Sequence, residues 1–99
     1  MNPASDVFEA LVAPVRRAIL DELVDRDGQT LFELCSRLAM KHQIALTRQA
    51  ISQHLEVLEA AGLVTVERQG RYKLHYLHTE PLRVISDRWL RGDKKGKPR

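Results

Sequence analysis

The sequence predicts a mainly α domain carrying one β-hairpin, and three observations support that expectation. Apolar residues recur at helical spacing in four successive stretches between Val7 and Leu58. Two short runs of alternating apolar and polar residues follow, over 63–68 and 72–77, with Gln69-Gly70 between them. A last stripe at Leu82, Ile85 and Trp89 then returns to helical spacing.

Each element has its own local reason. Ser5 or Asp6 can cap a first helix whose apolar face is Val7, Phe8, Leu11 and Val12. Pro14 suits the first turn of a second helix, because its missing N–H would have no partner there anyway. That helix is expected to run to about Val24, with Val15, Ile19, Leu20 and Leu23 inward, until Asp25-Arg26-Asp27-Gly28 breaks it. Thr30-Leu31-Phe32-Glu33 fits a capping box, and Leu31, Leu34, Cys35 and Leu38 follow as one buried stripe. This third helix is expected to fray near Lys41-His42, leaving a connector to Ala45.

Thr47 is the expected N-cap of the fourth helix, with Leu46 before it and Ile51 behind it placed as a hydrophobic staple. Ala50, Ile51, Leu55, Val57 and Leu58 form its expected buried side. Gly62 can end it as a left-handed cap, with Leu63 as the apolar residue that follows such a cap. Gly70 supplies the positive φ that a tight hairpin needs. Thr79 is the expected cap of a fifth and last helix. Helices three and four with a short connector make a helix-turn-helix, and the hairpin directly after them makes a wing. The expected fold is a winged helix-turn-helix of five helices, with a two-stranded wing between helices four and five.

Composition narrows the function. A chain of 99 residues is expected to form one domain with a small core. Residues 1–91 would be that domain, and 92–99 a basic disordered tail. The single Cys35 excludes an intrachain disulfide. The first residues show no basic segment leading into an apolar run, and no stretch approaches the roughly 20 apolar residues of a membrane helix. A cytoplasmic protein without a membrane partner is the expectation.

The net charge of +3 is mostly a property of the end of the chain. Four of the 16 basic residues, Lys94, Lys95, Lys97 and Arg99, lie in the tail, and the remaining twelve face thirteen acids, a net of −1. Distribution therefore matters more than the sum. Leu34 to Leu55 contains no acid but has Arg37, Lys41 and Arg48, and Arg68 to Thr79 is acid-free with Arg68, Arg71 and Lys73. Both stretches offer positive potential of the kind a phosphate-facing surface needs.

In a helix-turn-helix the second helix enters the major groove, its N-terminal residues toward the base edges. Setting aside the buried positions leaves Thr47, Arg48, Gln49, Ser52 and Gln53 on the outward side of its first two turns. Arg can donate in pairs to guanine, Gln can both donate to and accept from adenine, and Ser and Thr can serve base or phosphate. His54 borders the buried stripe and is a candidate contact or a structural residue. Arg68, Arg71 and Lys73 on the wing are candidates for phosphates or a narrow minor groove. Double-stranded DNA is the expected partner, read through residues 47–61 and the wing over 63–77. The other reading is a winged helix that binds protein or RNA without sequence-specific DNA recognition. No phosphate loop, paired-carboxylate motif or nucleophile elbow suggests an enzyme.

Longer runs carry a resemblance. Phe8-Glu9-Ala10-Leu11 with Pro14-Val15-Arg16-Arg17-Ala18-Ile19-Leu20 is one. The others are Leu46-Thr47-Arg48-Gln49-Ala50-Ile51-Ser52-Gln53-His54-Leu55 and Leu58-Glu59-Ala60-Ala61-Gly62-Leu63-Val64. With Gly70-Arg71 and Tyr76-Leu77, these resemble the ArsR/SmtB repressors over about residues 7 to 90. The resemblance implies a homodimeric repressor on an inverted-repeat operator, with the first and last helices between subunits. Val7, Phe8, Leu11, Leu82, Ile85 and Trp89 would then be interface residues, or would pack within the chain.

Many members of that family sense metals, and the ligands are missing here. Glu33-Leu34-Cys35-Ser36-Arg37 keeps one thiolate of a two-thiolate pattern and has Arg37 in place of the second. The last helix has Asp87 but no histidine. His75 and His78 make only one nearby pair, and a buried Cys35 without cationic neighbours would be inert. No metal and no cofactor is expected, and the sequence names no small-molecule or metal inducer.

Overall fold

The computed structural model describes residues 3–90, with side chains from Asp6 onward, so the expected tail over 92–99 lies outside the described residues. Four α-helices come first: α1 (Pro3–Val12), α2 (Pro14–Asp25), α3 (Leu31–His42) and α4 (Arg48–Ala60). Strands β1 (Val64–Gln69) and β2 (Tyr72–Leu77) form an antiparallel hairpin. A helical segment follows to the end of the described residues, 3₁₀ over Glu80–Leu82, α over Arg83–Ile85 and π over Ser86–Leu90.

α1 starts earlier than expected, so Asp6 is not its cap but lies in its first turn, where the positive end of the helix favours a carboxylate. Val7 and Ala10 face inward, and Val12, on the far side of the helix from Ala10, is 71% exposed instead of joining the apolar face. The last turn of α1 is capped from the next helix. Arg16 donates from Nε to the Ala10 carbonyl (2.9 Å) and from Nη2 to the Glu9 carbonyl (3.0 Å). Arg17 Nη1 donates to the carbonyls of Leu11 and Val12 at 2.6 and 2.9 Å. These carbonyls have no partner within their own helix.

Pro14 opens α2 at its first turn as expected. The capping box of α3 is complete: the Thr30 hydroxyl accepts from Glu33 N–H at 3.1 Å, and Glu33 Oε1 accepts from Thr30 N–H at 2.9 Å. α3 ends on Gln43, in the left-handed region at φ 56°. Thr47 caps α4, its hydroxyl accepting from Ala50 N–H at 3.0 Å. At the far end Gly62 has φ 78°, Leu63 N–H donates to the Leu58 carbonyl and Gly62 N–H to that of Glu59, both at 2.9 Å. This pair of bonds is the Schellman motif, and it turns Leu63 into the core.

The hairpin register pairs Val64 with Leu77 and Gln69 with Tyr72. Gln69 is therefore the last ladder residue, and the turn residues are Gly70-Arg71, one position later than expected. Glycine first at φ 60°, followed by a residue of negative φ, is the pattern of a type II′ hairpin turn. The sheet also gains a third edge. Gln29 N–H donates to the His75 carbonyl (3.1 Å) and His75 N–H to the Gln29 carbonyl (2.8 Å), stitching the α2–α3 loop to β2.

The core gathers Ala10, Ile19, Leu23, Leu34, Leu38, Ile51, Leu55, Leu58 and Leu63 from all four helices and the approach to β1. Ala50, Val57 and Cys35 are half-buried rather than buried. Thr79 does not cap the last helical segment: its backbone is already helical (φ −94°, ψ −6°), whereas a cap needs an extended residue. Pro81 and the 3₁₀ turn follow at once.

Candidate nucleic-acid interface

Thr47 fixes the start of α4 and with it the direction in which the first two turns point. Arg48, Gln49 and Gln53 are exposed along the outer side, and Thr47 beside them is exposed as well. Ile51, Leu55 and Leu58 hold the opposite side in the core. Ser52 is half-buried, turned toward the hairpin, where it shares a cleft with Arg71, Lys73 and His75. On the wing, Arg68, Arg71 and Lys73 are all exposed. Arg68 and Lys73 stand directly opposite each other in the ladder. Two like charges so placed destabilise a hairpin unless an anion lies between or above them.

His54 is turned away from this surface. Its Nδ1 lies 3.1 Å from Nη1 of Arg16, the residue that also caps α1. An arginine only donates, so Nδ1 accepts and the imidazole is neutral in this bond. Burial first, and then the Arg16 charge, push the His54 pKa below 6.5. The structure assigns this side chain to the packing of α4 on the first two helices.

One of the two acid-free stretches proves to be neutralised in space. Lys41 Nζ lies 2.9 Å from Glu22 Oε2 and 2.9 Å from Asp25 Oδ2, and Arg37 Nη1 lies 3.6 and 3.8 Å from the same two acids. His42 Nε2 is also 3.0 Å from Glu22 Oε2. The stretch lacks acids only along the chain, since α2 packs beside it and supplies them. Arg37 and Lys41 are therefore engaged with α2, and Arg48 is the member of that group with no ion pair among the described residues. Glu22 is 1% exposed, and burial pushes its pKa up; the hydrogen bonds and charges of Lys41 and His42 outweigh this and hold it below 4.5.

Local periodicity does not mark the residues behind the wing. Gln29 is buried, its Nε2 donating to the carbonyls of Arg26 (2.8 Å) and Glu22 (3.3 Å). His75 is buried against it, while His78 is exposed, so the two histidines do not converge. Among the described residues no three His, Cys, Asp or Glu side chains gather as a metal site requires. Burial raises the Cys35 pKa above 9.0 against the opposing charge of Arg48, so the thiol stays protonated at neutral pH. No described helix is long and apolar enough to cross a membrane.

Of the expected subunit-contact residues, Val7 is withdrawn into the chain's own core. Phe8, Leu11, Leu82 and Ile85 are half-buried, and Trp89 is 58% exposed. The rings of Phe8 and Trp89 meet with centroids 5.7 Å apart at 49°, joining α1 to the C-terminal segment, and Arg88 lies 5.3 Å from the Trp89 ring centroid.

This arrangement has relatives. Residues 11–67 match a family described as a helix-turn-helix domain. An HTH-type transcriptional regulator of Bacillus subtilis, YuzN, is 47% identical over 91% of this chain and 99% of its own length. The HTH-type transcriptional repressor SmtB of Mycobacterium tuberculosis is 40% identical over 78% of this chain, which spans about half (52%) of that protein. Among solved structures, an ArsR-like transcriptional regulator from Rhodococcus sp. RHA1 superposes with a TM-score of 0.77 at 30% identity, covering 95% of this chain and 80% of its own. HlyU from Vibrio cholerae superposes at 0.67 with 27% identity, covering 90% and 89%. YuzN, SmtB and the Rhodococcus protein are named as transcriptional regulators, not as enzymes. With a capped recognition helix beside a cationic wing, the chain belongs to the ArsR/SmtB family of winged helix-turn-helix, DNA-binding transcriptional regulators, without that family's usual metal-ligand motifs.

Proposed function

We propose that this protein is a cytoplasmic homodimeric repressor that reads an inverted-repeat operator. α4 lies in the major groove, with Arg48, Gln49 and Gln53 toward base edges and Thr47 at the helix start against the backbone. Arg68, Arg71 and Lys73 of the wing take flanking phosphates. The observation that carries this reading is the exposed set Thr47, Arg48, Gln49 and Gln53, with no acid on the helix before Glu56 and with the cationic wing beside it. The Arg68–Lys73 pair supports it, because opposed cations are tolerated best where an anion joins them. Dimerisation is supported by the aromatic and aliphatic side chains left partly open on α1 and the C-terminal segment. Repression is supported by the likeness to a named repressor.

Selection of bound duplexes from a random pool tests the whole reading. The expected product is a palindrome with half-sites about one helical turn apart. Titration of that duplex and of a random one at two salt concentrations should show a steep salt slope on both and much tighter binding to the first. Equal affinity for both would leave only a non-specific nucleic-acid or protein module.

A further inference from the structure

Between the start of α3, the second turn of α4 and the hairpin lies a cleft of about 240 Å³, bounded by Thr30, Ser52, Arg71, Lys73 and His75. Its floor is unusual. His75 is 6% exposed, and its Nδ1 lies 2.9 Å from the carbonyl oxygen of Gln29. A carbonyl only accepts, so Nδ1 carries the proton and donates. Nε2 has no hydrogen-bond partner among the described residues and is not fully shut off from solvent, and His75 is the buried residue that lines this cleft.

Leu31, Phe32, Leu55 and Tyr72 give the cleft apolar walls, and the other polar groups on it are donors. The capping box occupies the N–H groups of Thr30 and Glu33, and Leu34 N–H donates to the Thr30 carbonyl. The N–H groups of Leu31 and Phe32 have no partner among the described residues, at the positive end of a 12-residue helix. Ser52 adds a hydroxyl, and Arg71 and Lys73 add two cations with no acid in the lining. Glu33 is the bordering carboxylate, turned back on the Thr30 N–H and opening on the neighbouring groove.

We propose that this cleft is an oxyanion seat which takes one phosphate of the DNA backbone, with His75 as its floor. Ser52, Arg71 and Lys73 then hold a phosphate rather than read bases, which separates Ser52 from Arg48, Gln49 and Gln53. A helix start facing an anion and charge-assisted donors around it are the ordinary means of binding phosphate. With Nδ1–H committed to Gln29, the ring reaches the phosphate by taking a second proton on Nε2, so seating the anion takes up one proton from solvent. The imidazolium then donates at both ends, to Gln29 and to the phosphate. The charged groups around it are Arg71 and Lys73 on the wing and Glu33 on α3; α4 contributes Ser52 and Leu55.

The proposal rests on the DNA-binding reading above, and its test keeps the two apart. Protein labelled with ¹⁵N in histidine is titrated with the selected duplex and, separately, with inorganic phosphate. The expected result is a shift of the His75 ring nitrogens toward imidazolium on adding duplex. A parallel shift with inorganic phosphate extends the seat to free anions. A duplex that binds without moving His75 overturns the seat and leaves the DNA reading standing. If no duplex is bound selectively, the DNA reading fails, and the phosphate titration alone decides: a His75 shift keeps an oxyanion seat for a free anion, and none removes it. Ser52→Ala, which needs no buried change, should weaken selected and random duplexes by the same factor, about fivefold for one lost hydrogen bond. A Ser52→Ala variant that instead relaxes base preference makes Ser52 a base reader and refutes the assignment.

Discussion

Arg16 donates to His54 Nδ1 across 3.1 Å while its other nitrogens cap the last turn of α1. One guanidinium thus holds the end of the first helix against the recognition helix. The bond requires a neutral imidazole, and burial and the Arg16 charge both push the His54 pKa below 6.5. The unfolded chain therefore binds the proton more readily, and stability rises with pH in this window. The contribution is complete above about pH 6.5 and is lost as the pH falls from there to the folded-state value. Urea midpoints at about pH 7.5 and about pH 5.5 should show this loss for the wild type. His54→Gln, whose amide oxygen can still accept from Arg16, should lack that part of the pH dependence. An equal pH dependence in both proteins would mean that His54 does not carry it.

Glu22 and Asp25 bind the same lysine and arginine at similar distances, and burial should separate them energetically. Glu22 is buried, whereas the Asp25 side chain is 61% exposed. Removing one member of a buried ion pair typically costs about 3–5 kcal/mol, against about 0–1 kcal/mol for a surface pair. Glu22→Ala should fall near 3 kcal/mol, the low end of that range, because Lys41 and Arg37 keep Asp25 and partial access to water. Asp25→Ala should be nearly silent. Both acids are held below their ordinary pKa, so their stabilisation is present above about pH 4.5 and is lost on further acidification. Thermal or urea unfolding of the two variants at neutral pH decides the order.

The base-reading and backbone-holding residues should differ in kind, not only in size. Arg48→Ala or Gln49→Ala should cost about 1–3 kcal/mol on the selected operator and relax preference at one base position. Arg71→Ala should weaken selected and random DNA alike and flatten the salt slope by about one unit. Anisotropy titrations at several salt concentrations separate these outcomes. An Arg71→Ala protein with an unchanged slope would take the wing out of the interface.

Local signals account for much of this fold. The capping box at Thr30, the cap at Thr47 and the Schellman turn at Gly62 each depend on residues within a few positions of one another, and all three form as their sequences dictate. What local patterns did not reveal is long-range. Gln29 directly follows the segment whose composition reads as a break, yet its backbone pairs with His75. Glu22 occupies a core-facing turn of α2, three residues after Ile19, because its counter-charges come from α3. For the same reason Arg37 and Lys41 look available for DNA along the chain and are not. The outward face of α4 was legible because periodicity separates it from the core; the cleft at Ser52 was not, because it is assembled from three elements.

Trp89 offers the sharpest test of the dimer. Trp89 is 58% exposed although its ring meets that of Phe8 at a tilt, so a single chain leaves much of a large apolar side chain in water. Within one chain, replacing it with alanine removes the Phe8 contact, worth about 0.5–1.5 kcal/mol for an aromatic pair beyond its buried area, and the exposed approach of Arg88, worth about 0.5–1 kcal/mol. Across a subunit interface the same ring would be an anchor, and such aromatic anchors carry about 2 kcal/mol or more each. Trp89→Ala should therefore leave the urea midpoint at low protein concentration little changed but shift the monomer–dimer equilibrium strongly toward monomer. Sedimentation equilibrium over a range of concentrations measures that shift. Operator binding should weaken in step, because an inverted repeat engages two recognition helices only when the subunits are joined. A Trp89→Ala protein that remains dimeric would move the interface away from the C-terminal segment.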